Sequence, residues 1–449
     1  MLENIYKYTF LIGLTLLIPL WSIPNTIALR YMTTILLFIT LFFMGSNLKN
    51  ILKNVPFFLL LFFFYLFIQL LFSIDFYDAI LNFKSEWLKF ILFSLLGLSC
   101  GNILLKFKFS KLCLYLGLLW SIPLFLHLGL SLLEAIRIGA FPSKYFGINH
   151  THGDLAYTSI HSIIFLHVYY LHQAKNSFEK VTVTFLIFLN FLSLLIAKSR
   201  GGILFAGISL FFGVFLTLFF KELPPTNKKR VFFNLSSLLV LILGLIFLCL
   251  YLDSSKKNTT LDNLLLSFQV DAFQISCHGI ETYVNDLNKN DIEITPKVLE
   301  QLSSITGGDG ARVVAARTAL ELIPKNIFGI NQSKSAYAIS LKEVCPNNPL
   351  YLSSSHNGWL DTALAIGVFG AILYFFVLIT FLIKGIQAMR FSTSYLRPYT
   401  VALSCCALVW IFRSLLDSAQ RDQMLEMQIF TLCLLYSLVY QPTNNHIND

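Results

Sequence analysis

Apolar residues along the chain gather into blocks of about twenty, and a block of that length crosses a hydrocarbon layer of about 30 Å as a helix. The blocks lie at residues 6–23, 27–44, 55–74, 86–105, 111–133, 154–173, 181–197, 201–219, 231–252, 357–383, 397–416 and 423–440. They predict an all-α integral membrane protein of about twelve transmembrane helices. Runs such as 57–72 are apolar on every face, where a barrel strand would alternate, so a β-barrel is excluded. Three parts follow from the pattern: residues 1–252 with the first nine helices, a large loop subdomain at 253–356, and residues 357–449 with the last three helices and a short polar tail.

Inside the loop, 261–273 and 299–305 read as short helices and 285–295 as polar surface. Its clearest element is the Ala-rich stretch from Ala311 to Ile323, with Asp309 placed to cap it and Pro324 to stop it.

Composition agrees with a lipid environment, because a chain of 449 residues that is 56% hydrophobic and 13% charged, with 44 Phe, lacks the polar surface of a soluble globule. The formal charge of +9 does not form a patch for nucleic acid; it falls in alternate connections. These carry Lys49 and Lys53, then Lys106, Lys108 and Lys111, then Lys175 and Lys180, then Lys221, Lys228, Lys229 and Arg230, then Lys384, Arg390 and Arg397. By the positive-inside rule they face the cytoplasm, which puts both termini inside and the 253–356 loop outside. The first block reads as a helix and not as a cleaved leader, since residues 22–25 make a poor cleavage site and Glu3 interrupts the basic end. Six of the 8 cysteines fall in apolar spans, where they read as small buried hydrophobes. Cys277 and Cys345 lie in the outer loop and are candidates for a disulfide.

Charged residues on the outer side are the candidates for chemistry. Arg200 sits in Lys198-Ser199-Arg200-Gly201-Gly202, a very short connection, where it is either an anchor snorkelling to the interface or a ligand group that the glycines let something approach. Arg312 lies in the first turn of the loop helix, where a cation opposes the helix dipole unless an anion binds there. Arg317, about 140° further around the helix, reads as an ordinary surface charge. His356 follows Ser353-Ser354-Ser355, a supply of N-caps, and opens the span at 357; it reads either as a capping or interfacial residue or as a neutral base, because a helix N-terminus disfavours its cation. Asp361 lies five residues on, on another helix face, and is a poor orienting partner. No role is assigned to His127, His150, His152, His161 or His167, and no zinc spacing is present. Two guanidinium groups and a neutral base suit transfer from a lipid diphosphate to a neutral hydroxyl.

The order Ser199-Arg200-Gly201, then Gly310-Ala311-Arg312 opening an Ala-rich helix that stops at Pro324, then His356-Asn357 with Leu360, Gly367 and Gly370, resembles the O-antigen ligase family. That family shares a superfamily with O-antigen polymerases and pilin oligosaccharyltransferases. The resemblance implies a membrane-embedded C-type architecture and an inverting glycosyltransferase that needs neither metal, cofactor nor nucleotide sugar. It implies a donor of polysaccharide on undecaprenyl diphosphate, a lipid A-core acceptor, and a site on the periplasmic face of a Gram-negative inner membrane. Carried over by motif, Arg200 and Arg312 hold the diphosphate and His356 orients or deprotonates the acceptor. Lys89, beside Lys84, and Arg413 follow as second-tier diphosphate ligands. A polymerase or a protein O-oligosaccharyltransferase of the same superfamily is the nearest alternative. A lipid-linked sugar flippase or other transporter is a more distant one, disfavoured by the lack of an internal repeat and by charges at helix ends and not at the midplane.

Overall fold

The computed structural model describes residues 2–45, 51–52, 55–107, 109, 111–140, 142, 145–147, 152–220, 260–289, 302, 308–348, 353–392, 395–418 and 422–440. In chain order the helices are α1 (Leu2–Leu20), α2 (Ile27–Phe43), α3 (Phe57–Leu71), α4 (Phe76–Asn82), α5 (Leu88–Lys106), α6 (Leu112–Ile138), α7 (His152–His172), α8 (Ser177–Ile196), α9 (Arg200–Phe220), α10 (Thr260–Gln269), α11 (Ala272–Lys289), α12 (Gly308–Leu322), α13 (Ala336–Val344), α14 (Gly358–Phe391), α15 (Arg397–Arg413) and α16 (Asp422–Tyr440). A π turn, Phe83–Trp87, joins α4 to α5. Every predicted span coincides with a helix except that at 231–252, which lies outside the described residues. The described residues hold no strand.

Six of these stretches are long and apolar enough to cross a membrane by length and composition, namely Phe76–Lys106, Leu112–Ile138, Ser177–Ile196, Arg200–Phe220, Gly358–Phe391 and Gln423–Tyr440. The chain is a multi-pass membrane protein. Helix α7 carries Thr158, Ser159, His161, Ser162 and His167, all buried, so it faces protein where its neighbours face lipid. Around it, large apolar side chains such as Phe42, Phe64 and Phe211 point outward and exposed, as the bilayer requires.

Two departures from the sequence expectation shape the loop. Helix α10 ends at Gln269, and α11 runs on through Lys289 with a break at Gly279, so the first part of 285–295 is helical, while the expected helix at 299–305 falls almost wholly outside the described residues. Helix α12 begins at Gly308, which puts Asp309 within the first turn instead of at the cap; it stops, as expected, at a tight turn, Ile323–Lys325, that contains Pro324.

The third departure is in α14, which is two helices meeting at Gly367, where φ is 84° and ψ is 164°. Breaking a helix frees backbone groups that must find other partners. Here the segment 327–332 supplies them: the Ile330 N–H donates to Leu364 O at 2.8 Å, the Gln332 N–H to Ala365 O at 3.1 Å, and the Val368 N–H to Ile327 O at 3.0 Å. The Tyr65 hydroxyl donates to Ile366 O at 2.6 Å. From the bundle side, Gln69 Nε2 donates to Phe328 O at 2.9 Å and Trp87 Nε1 to Gln332 O at 3.3 Å. Gly329 also has φ of 84°, and a Cβ there would lie 2.6 Å from Ala365 O, while one at Gly367 would lie 2.6 Å from Ile327 O.

Cys277 of α11 and Cys345, just after α13, are joined by a disulfide with a Cα separation of 5.1 Å. It closes the loop segment onto the α12 helix between them. The other described cysteines, Cys100, Cys113, Cys405, Cys406 and Cys433, are free and buried.

Gly367→Ala therefore costs about 1 to 3 kcal/mol from its backbone angles alone, before the clash is added. A large drop in melting temperature of the detergent-solubilised protein checks this, with Gly201→Ala, whose Cβ meets open space, as the unaffected control. Cys277→Ser lowers stability by about 2 to 4 kcal/mol, read from the same melts under oxidising conditions, and reduction of the parent protein reproduces the loss.

Candidate active site

The start of α14 is fastened to the end of α15. Asn357 caps α14, its side chain accepting from the Trp359 and Leu360 N–H groups at 3.1 and 3.2 Å. The serines do not cap, contrary to expectation. The chain reverses at His356, with φ of 55°, so Ser355 Oγ bonds back to the Asn357 backbone instead of reaching into the first turn. The Gly358 N–H donates to Ser414 O at 2.7 Å and to Asp417 O at 3.0 Å. Asn357 Nδ2 donates to Leu415 O and Trp359 Nε1 to Ile411 O. The His356 turn and the turn after Arg413 are thus one hydrogen-bonded unit.

Arg413 is only 4% exposed. Its guanidinium carbon lies 3.5 Å from the centroid of the Tyr157 ring, and Nη2 is 3.8 Å from Asp417 Oδ2. The Tyr157 hydroxyl donates to the same Asp417 oxygen at 3.3 Å. Nη1 is buried with no hydrogen-bond partner among the described residues. Beneath this group Tyr157 stacks on Trp410, whose Nε1 donates to His161 Nε2 at 3.2 Å. His161 Nδ1 sits 2.7 Å from Tyr157 O, so both ring nitrogens are used and the imidazole is a satisfied core group.

Arg200 reaches the same end of the bundle. Its helix, α9, starts after a tight reversal in which Lys198 takes φ of 51°, and the Arg200 side chain is exposed. A Cβ on Gly202 would lie 2.9 Å from Ala156 Cβ, so the glycine lets α9 lie directly against the first turns of α7, one residue from Tyr157. Gly201 faces open space.

Arg312 is half-buried on α12. It shares a helix face with Ala315 and Ala319, which are fully buried in the main apolar cluster with α14. Burial pushes the phenol of Tyr337, beside Ser276 and Thr318, up to about 12. Helix α12 leads through the turn Ile323–Lys325 into the segment 327–332, which meets Gly367. Arg312 lies six residues, about 9 Å along the helix, before Thr318. Arg317 is not an ordinary surface charge: Nη1 donates to Ser267 O at 2.9 Å and Val270 O at 2.6 Å, capping the end of α10.

Lys89 belongs to a different group at that end. Its Nζ is 4.0 Å from Glu426 Oε1, and Glu426 also accepts from Arg30 Nη1 at 3.0 Å, Trp21 Nε1 at 3.2 Å and the Tyr31 hydroxyl at 3.2 Å. Gln423 Nε2, within 3.5 Å of Asp154, links this group to α7. Sequence reading missed Arg30, Glu426, Tyr157 and Asp417. The signal for the first pair was present, since each is a charge inside an apolar span. Behind the His356 turn lies a small cavity lined by Glu86, Gln332, Lys334, Asp361, Thr362 and Ser418. No three His, Cys, Asp or Glu side chains gather to hold a metal ion among the described residues.

A family model described as O-antigen ligase matches residues 185–375, a stretch that contains Arg200, Arg312 and His356. No curated protein matches the chain. The match bears out the resemblance read from the order of the motifs.

If the Tyr157 ring holds Arg413, then Tyr157→Phe keeps the cation–π contact and is mild, whereas Tyr157→Leu removes a desolvated contact of about 2 kcal/mol and lowers the melting temperature. Equal effects of the two changes would assign the stabilisation to the hydroxyl bond with Asp417.

Proposed function

We propose, from the match of residues 185–375 to the O-antigen ligase family model, that the protein moves a polysaccharide from undecaprenyl diphosphate to a sugar hydroxyl of lipid A-core, with inversion, at the periplasmic face of a Gram-negative inner membrane. The observation that supports the proposal is the fastening of the His356 turn to the turn after Arg413, a buried guanidinium whose Nη1 has no hydrogen-bond partner among the described residues. The matched stretch adds Arg200 and Arg312 from two further helices.

In this reading the acceptor oxygen forms a bond to the anomeric carbon as the bond to the donor phosphate breaks on the opposite face. A sugar hydroxyl is too weak an acid to ionise beforehand, so its proton passes to the His356 imidazole during attack. The pair of electrons leaves with undecaprenyl diphosphate, whose growing negative charge Arg200 and Arg312 stabilise. Arg413 offers Nη1 to the same phosphates or holds the turn for them. Lys89, neutralised in part by Glu426, contributes long-range charge more than a direct bond. On the positive-inside topology both termini are cytoplasmic and the loop subdomain lies in the periplasm.

Each of His356→Ala, Arg200→Ala and Arg312→Ala lowers transfer about 100-fold or more while the protein stays in the membrane. The measurement is gel banding of surface polysaccharide in a complemented deletion strain. Near-normal attachment in any one of the three removes that residue from the site. The deletion strain itself separates ligase from polymerase: full-length polymer held on the lipid carrier marks a ligase, and single units attached to lipid A-core mark a polymerase.

A further inference from the structure

The carboxylate of Asp361, the fourth residue of α14 and five residues beyond His356, meets the His356 turn through the backbone. Oδ1 accepts from the Ser355 N–H at 2.8 Å, and Oδ2 takes the Ser418 hydroxyl in a short hydrogen bond. One side chain therefore bridges two turns, that before α14 and that after Arg413. The bridge sits at a costly place, because His356 holds a left-handed backbone with φ of 55°, a region that L residues other than Gly adopt uncommonly. Ser355 is fully buried, so its N–H needs an acceptor inside the protein, and Asp361 is the one that faces it.

We propose that Asp361 is a positioning residue for the transfer reaction: it fixes the left-handed turn at His356 and its distance from the Arg413 turn, without touching substrate. The inference rests on the reading of His356 as the base. A carboxylate is suited to this, since its two oxygens accept from separate donors and a charged acceptor forms the stronger bond to an amide. Displacement of a catalytic group by about 1 Å costs about 100-fold in turnover, so a device that fixes one turn against another is worth that much.

The experiment uses purified full-length protein with a lipid-diphosphate-linked glycan donor and a lipid A-core acceptor. Variants are Asp361→Asn, Asp361→Ala and Ser418→Ala, alone and combined with His356→Ala. The expected result is that Asp361→Ala lowers kcat about 100-fold with little change in KM, and lowers it no further once His356 is already alanine. Asp361→Asn, which is isosteric and keeps an acceptor for the Ser355 N–H, retains most of the turnover and covers the case in which the alanine variant fails to fold. Hydrogen exchange of the 353–357 peptide rises in Asp361→Ala and Ser418→Ala and not in His356→Ala. Equal losses in the two backgrounds would mean general support of the bundle and overturn the proposal, as would parental turnover in Asp361→Ala. Parental turnover in His356→Ala alone is a different failure, since it removes the base and this inference together.

Discussion

The backbone pairing between residues 327–332 and the break at Gly367 is the constraint on which the mouth of the bundle depends. In a bilayer each unpaired backbone group costs several kcal/mol, and irregular backbone persists only where protein surrounds it. Leu364, Ala365 and Ile366 give up helical partners for their carbonyls, and each carbonyl is answered, two by the loop segment and one by Tyr65. The loop subdomain is consequently threaded into the membrane bundle. Because α12 leads directly into that segment, the pairing ties the helix that carries Arg312 to the first half of α14, which begins after the His356 turn.

Charge at this end is held by placement more than by stabilisation. Arg413 is matched by Asp417 and Tyr157, Lys334 by Glu86, and Arg30 with Lys89 by Glu426. Buried pairs of this kind roughly break even between desolvation and attraction, so their contribution lies in where they put each group. The deeper the cation, the more completely it is surrounded: Arg30 and Arg413 are buried, while Arg200 at a helix end is exposed and keeps water as part of its solvation.

The spans were legible in the sequence because lipid imposes one simple rule on their surfaces, and blocks of apolar residues follow it. The break in α14 was not, since a glycine in an apolar run looks the same whether the helix continues through it or stops. Only the close approach of Gly329 from a distant part of the chain decides the matter. Arg317 was misread for a related reason: its partners are carbonyls of α10, and the end of a short helix fifty residues away is invisible to helical periodicity. Arg200, Arg312, His356 and Arg413 were singled out because charged and titratable residues are rare enough in this composition for each to stand out. Tyr157 and Asp417 were not, because a tyrosine in a span and an aspartate in a turn both have ordinary explanations.

The turn at His356 shows how backbone and chemistry limit one another. Asn357 must cap α14, the Gly358 N–H must reach across to the end of α15, and the Ser355 N–H must meet Asp361. Three bonds on consecutive residues on either side leave position 356 with a positive φ. Few side chains accept that backbone: glycine would do so without strain but brings no base, and a β-branched residue would be a severe outlier. Histidine is among the residues enriched there and also titrates near neutrality. The geometry of the helix start thus bears on the residue choice before any chemistry is considered, and this chain admits Asn, Lys, Gln and His to the same backbone region but no β-branched residue among those described.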